Sequence, residues 1–159
     1  MQERAGISTP TFVRNVIAYG MIAAFLFLVL LIVMRLFMKN ISGLVAPVDC
    51  LALWAVSFFQ IRRIARVYGG GLRFLRAFSL VFFTGVVAFC VFGVLMILYA
   101  MIDPNLPQAF MARSREAFYM PVFVIVGEGI GGCIIIALLG TFYSDRFLDR
   151  EIDPAKTEK

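Results

Sequence analysis

Apolar residues run along this chain in four long blocks, over about residues 16–37, 43–61, 77–101 and 120–143, separated by charged, glycine-rich or proline-containing breaks. Each block approaches the ~20 mostly apolar residues that a helix needs to cross a bilayer. The strands of a membrane barrel would be about half as long and would alternate apolar with polar. These blocks do not alternate. The pattern predicts an all-α integral membrane protein with four transmembrane helices in two antiparallel hairpins. The first block exceeds a signal-peptide core of about 7–15 residues, so it is expected to stay in the membrane as the first span.

Composition agrees. Of 159 residues, 62% are hydrophobic and 16% charged, against about 45–50% and about 25% in a soluble domain. A small soluble domain has too much surface for its volume to hide that much apolar matter.

The net charge of +5 sits in the breaks, which points to membrane orientation and away from nucleic acid. Eleven basic residues fall on one side: Arg4, Arg14, Arg62, Arg63, Arg66, Arg73, Arg76, Arg146, Arg150, Lys156 and Lys159. Four fall on the other: Arg35, Lys39, Arg113 and Arg115. The richer side is expected to be cytoplasmic, with both termini inside. In the middle break, Arg62 and Arg66 are spaced for one helix face before Gly69, Gly70 and Gly71 interrupt it. Arg62, Arg63, Arg66, Arg73 and Arg76 are candidates for contact with anionic lipid phosphates or with a partner. A short interfacial helix is expected over about 107–117 and a cytoplasmic tail over 144–159.

Two acids fall inside apolar spans, Asp49 and Glu128. A charge at the bilayer centre costs at least about 2.5–3.5 kcal/mol, so such residues mark a structural or functional need. At about 1.5 Å per residue, Asp49 lies about 9 Å and Glu128 about 12 Å from the outer ends of their spans. With Arg35 they form a candidate intramembrane polar cluster, either a register-fixing ion pair or a proton or cation site. A relay to the other face would have only Ser57, Gln60, Thr141, Tyr143 and Ser144 to use. Gly127 and Gly131 form a small-x-x-x-small pair, with Gly132 four residues after Glu128, so all three are candidates for close helix packing. On the third span Gly85, Ala88 and Gly93 have the same character. Cys50, Cys90 and Cys133 have no paired spacing and read as packing residues. There is no histidine and no D-D-x-x-D motif, so neither a metal, nor a cofactor, nor enzyme activity is expected.

The stretch "FFQIRRIARVYGGGLRFLRAF" joins an aromatic helix end, a basic run, Tyr68, a Gly-Gly, Phe74 and Arg76, and then Ala77-Phe78. It resembles the bacterial inner-membrane family catalogued as domain of unknown function four-one-nine-nine. Glu128 followed by Gly132 matches a feature of that family's last helix, whereas the outer loop is shorter and less charged than the family pattern. The resemblance implies a four-helix protein of the bacterial cytoplasmic membrane and no particular chemistry. The expected role is a non-enzymatic accessory or assembly subunit that packs with other membrane proteins or with itself. The alternative is a small proton- or cation-coupled transporter that uses the two acids.

Overall fold

The computed structural model describes residues 9–37, 44–68, 74–103 and 119–143. They form four helices: α1 (Thr9–Phe37), α2 (Val45–Tyr68), α3 (Phe74–Ile102) and α4 (Tyr119–Tyr143). The expected interfacial helix, the glycine run with Arg73, and the tail lie outside the described residues.

Helix ends follow local chemistry. Pro47 is the third residue of α2, in the first turn, where a missing N–H leaves no intrahelical bond unmade. The Val48 N–H still donates to the Leu44 carbonyl at 3.1 Å. α3 stops at Ile102 because Asp103 precedes Pro104, and the residue before proline disfavours helical geometry. Three helices start earlier than their apolar blocks: α1 by seven residues, α3 by three and α4 by one.

Helices α1, α3 and α4 are long and apolar enough to cross a membrane, over Thr11–Phe37, Phe74–Ile102 and Phe123–Phe142. α2 is not among them. Its 24 residues include Asp49, Gln60, Arg62, Arg63 and Arg66.

Side-chain contacts order the bundle. Tyr19 of α1 meets Arg63 of α2, and Arg35 of α1 meets Asp103 after α3. Gly132 and Gly140 of α4 approach Cys50 and Ile61 of α2. Hence α1 and α3 run one way, and α2 runs alongside α4 the other way. α3 packs most extensively against α4 and α1, α2 packs against α4 and α1, and α2 touches α3 only lightly. The helices therefore sit around a square in the order α1, α3, α4, α2. Arg14, Arg62, Arg63, Arg66 and Arg76 gather at one end.

The centre is aromatic and closely packed. Phe27 lies 5.0 Å from Phe89 and 5.6 Å from Phe92, ring centre to ring centre, the latter edge-on, and all three are fully buried. Glycine lets α4 reach this cluster. A Cβ on Gly129 would enter the Phe89 ring, and one on Gly85 would strike Cys133 of α4 and Leu53 of α2. Outward, Phe25, Leu51, Trp54, Phe59, Val94, Phe123 and Ile135 are all exposed, an apolar belt far larger than a soluble protein presents.

Candidate functional site

The buried face of α2 carries polar residues. Val45, Asp49, Leu53, Ser57, Gln60, Ile61 and Ile64 are all buried, at spacings of three and four that trace one helix face. Gln60 has a partner across the bundle. Its Nε2 donates to Thr84 Oγ1 at 3.0 Å, and the Thr84 hydroxyl lies 3.2 Å from Gln60 Oε1 and 2.7 Å from the Leu80 carbonyl. This pair ties α2 to α3 across the square. Thr84→Val is expected to cost about 1–3 kcal/mol, because it strands a buried amide. Adding Gln60→Leu should recover most of that loss in detergent unfolding. A double variant as unstable as the single one would remove the pair from the account.

Asp49 is fully enclosed, and neither of its carboxyl oxygens has a hydrogen-bond partner among the described residues. The Ser57 hydroxyl is likewise buried without one. Thr141 bonds within its own helix, to the Leu138 carbonyl at 2.7 Å.

The expected cluster of Arg35, Asp49 and Glu128 does not assemble. Arg35 stands in the last turn of α1, with Nε 3.7 Å from Asp103 Oδ2. Asp49 points inward, in phase with Val45 and Leu53. Glu128 is exposed on the outer face of α4, in phase with the exposed Val124, Gly131 and Ile135. Similar depth along two helices does not bring side chains together when they point to opposite sides. The depths differ as well: at about 1.5 Å per residue, Asp49 is about 6 Å and Glu128 about 14 Å beyond the first residues of α2 and α4.

The glycines divide similarly. Gly127 and Gly131 are exposed, and among the described residues nothing lies within 4 Å of where a Cβ would stand, so they pack against none of those residues. Gly132 does: a Cβ there would come to 2.6 Å from Cys50 Sγ. Among the described glycines Gly129 packs closest, against Phe89, and it lies outside the glycines that the sequence reading singles out. Its signal was there, because Gly129, Cys133, Ala137 and Thr141 place small residues at every fourth position of α4. Gly85, Ala88 and Gly93 of α3 are all buried, as close packing requires.

At the basic end, Arg63 Nη1 donates to the Tyr19 hydroxyl at 3.4 Å, Arg66 and Arg76 are exposed, and Arg62 is half-buried. Near this end a cleft of about 420 Å³ opens between α2 and α4, lined by Trp54, Ser57, Phe58, Ile61, Leu139 and Phe142. Among the described residues no three His, Cys, Asp or Glu side chains converge as metal ligands would.

Compared with known families, residues 17–121 match the one described as "Protein of unknown function (DUF4199)". The matched segment covers α1, α2 and α3 apart from the first eight residues of α1, and ends before Glu128. No curated protein and no solved structure matches the chain.

Proposed function

Since the chain belongs to the family of proteins of unknown function DUF4199, we propose that it is a non-enzymatic protein of the bacterial cytoplasmic membrane that works by association. In this reading α2 is a fourth span and both termini are cytoplasmic. The arginines gathered at the shared end of α1, α2, α3 and α4 support that orientation. The exposed Leu51, Trp54 and Phe59 of α2 support its placement in lipid.

The observation that carries the association is the outer face of α4. Gly127, Glu128 and Gly131 form a flat strip there with open space over both glycines. Glu128 falls within a span and faces hydrocarbon, where a charge costs about 2.5–3.5 kcal/mol near the centre. A helix of a second copy or of another membrane subunit, crossing at the glycines, would cover the carboxyl and hydrogen-bond it. Close approach and interhelical hydrogen bonds drive helix association in lipid.

The test is proximity crosslinking in native membranes. Gly131→Leu should abolish the crosslinked species, Glu128→Leu should weaken it, and Glu128→Gln should retain most of it because the amide still bonds. A wild-type chain that runs as a lone monomer, or a crosslink indifferent to Gly131→Leu, defeats the proposal.

A second reading has its own observation. Asp49, enclosed and unbonded among the described residues, is what a proton- or cation-coupled transporter would need. A pH-dependent flux assay in liposomes, comparing wild type with Asp49→Asn and Glu128→Gln, decides it. Absence of flux, or equal flux in all three, removes this reading.

A further inference from the structure

Between α2 and α4, near the arginine-rich end, the bundle surface is notched. The cleft holds about 420 Å³, within the about 300–1,000 Å³ range of small-molecule sites. Its walls are Trp54, Phe58 and Ile61 of α2 and Leu139, Gly140 and Phe142 of α4. Gly140 keeps one wall low, because a Cβ there would stand 3.0 Å from Ile61 Cδ1. One polar group interrupts this lining: the Ser57 hydroxyl, only 1% exposed and without a hydrogen-bond partner among the described residues. Buried hydroxyls are normally bonded, so this one has a donor to spend on a guest.

The charge beside the cleft identifies the guest. Arg62 follows Phe58 by four residues, on the same stripe of α2, and Arg66 follows by four more. At about 1.5 Å per residue, Arg62 stands about 8 Å beyond Ser57 along the axis. Along α2 toward the arginine-rich end, Trp54 comes first, the Ser57 hydroxyl follows inside the cleft, and Arg62 stands just past Ile61 at its rim. A phospholipid has the same order: acyl chain, ester carbonyl, phosphate. Guanidinium groups bind phosphate oxygens in forked pairs. A partner helix would need a continuous strip, whereas this notch spans only about two turns of α2.

We propose that the α2/α4 cleft is a binding site for one anionic phospholipid of the leaflet next to the arginine-rich end. Its acyl chain lies along Trp54, an ester carbonyl accepts from Ser57, and the phosphate meets Arg62 at the rim, beside Phe142, with support from Arg66. The site depends on the membrane placement of α2 and α4. It does not depend on association through Gly131, which stands eight residues from Leu139 toward the other end of α4.

Native mass spectrometry of the full chain tests this, with the protein released from nanodiscs containing equal dioleoyl phosphatidylglycerol and dioleoyl phosphatidylcholine. The wild type should retain one phosphatidylglycerol, favoured at least about fivefold over phosphatidylcholine. Arg62→Gln should cut that preference by about fivefold. Ser57→Ala should lower retention of both lipids about two- to tenfold, in line with one hydrogen bond. Leu139→Trp, at an exposed position that fills the notch, should release the lipid while Gly131-dependent crosslinking persists. Equal retention of the two lipids by the wild type overturns the headgroup assignment without need of any variant. Unchanged retention in Leu139→Trp overturns the site. A crosslink from Phe142 to a second copy would give the notch to protein and also overturn it.

Discussion

Gly129→Leu is expected to prevent the bundle from closing, while Gly131→Leu leaves a detergent-dispersed monomer within about 0.5 kcal/mol of wild-type stability. The two residues are one half-turn apart and chemically identical, yet their surroundings are opposite. Any Cβ on Gly129 enters the Phe89 ring. That ring cannot retreat easily, because Phe27 stands 5.0 Å behind it and Phe92 closes the cluster. A packed interior transmits such a shift instead of absorbing it. Even Gly129→Ala should therefore cost about 1–3 kcal/mol, the usual range for overpacking, and the larger leucine more. Phe89→Ala should relieve part of this, and the double-variant cycle Phe89→Ala with Gly129→Ala should show coupling of about 0.5–3 kcal/mol. Thermal unfolding in one detergent is the measurement. If Gly129→Ala unfolds with the wild type, the contact between α3 and α4 at Phe89 is looser than described.

That contrast also shows what could be read in the sequence. The four helices and the basic end follow from block length and arginine placement, but the helix ends do not, since α1 starts seven residues before its block and α2 runs seven past it. The inward face of α4 does not follow so directly. In a soluble helix the polar stripe reveals the outside, but in α4 nearly every residue is apolar, and lipid accepts the same side chains as the core. Residue type alone therefore does not say whether Gly127 and Gly131 pack within the chain or against another subunit. The four-residue recurrence of Gly129, Cys133, Ala137 and Thr141 was the better guide, because only the inward face sustains small residues over three turns. α2 was more legible. Before its terminal arginines, its polar residues Asp49, Ser57 and Gln60 all face inward, so they mark the buried side by themselves. What composition could not supply was pairing across the bundle. Arg35 takes Asp103, and Gln60 takes Thr84. Both contacts depend on helix order around the square, which residue types alone do not fix.

Asp49→Val is expected to raise stability by about 1–3 kcal/mol, against the usual direction of a core substitution. The carboxyl is fully enclosed, and neither oxygen is hydrogen-bonded among the described residues. Replacing such a group by an apolar one of similar size removes a desolvation penalty and breaks no bond among the described residues. Asp49→Asn keeps the polarity and should gain much less. The two substitutions together separate a structural role from a functional one. If Asp49 fixes helix register by holding a proton or a cation, Asp49→Val loses that anchor and stability falls by a similar amount. If the residue is kept for transport, Asp49→Val gives a more stable chain without flux, the pattern of a site maintained at a cost to the fold. A gain in stability with unchanged association through α4 would leave Asp49 outside the assembly role and make the flux assay its deciding experiment.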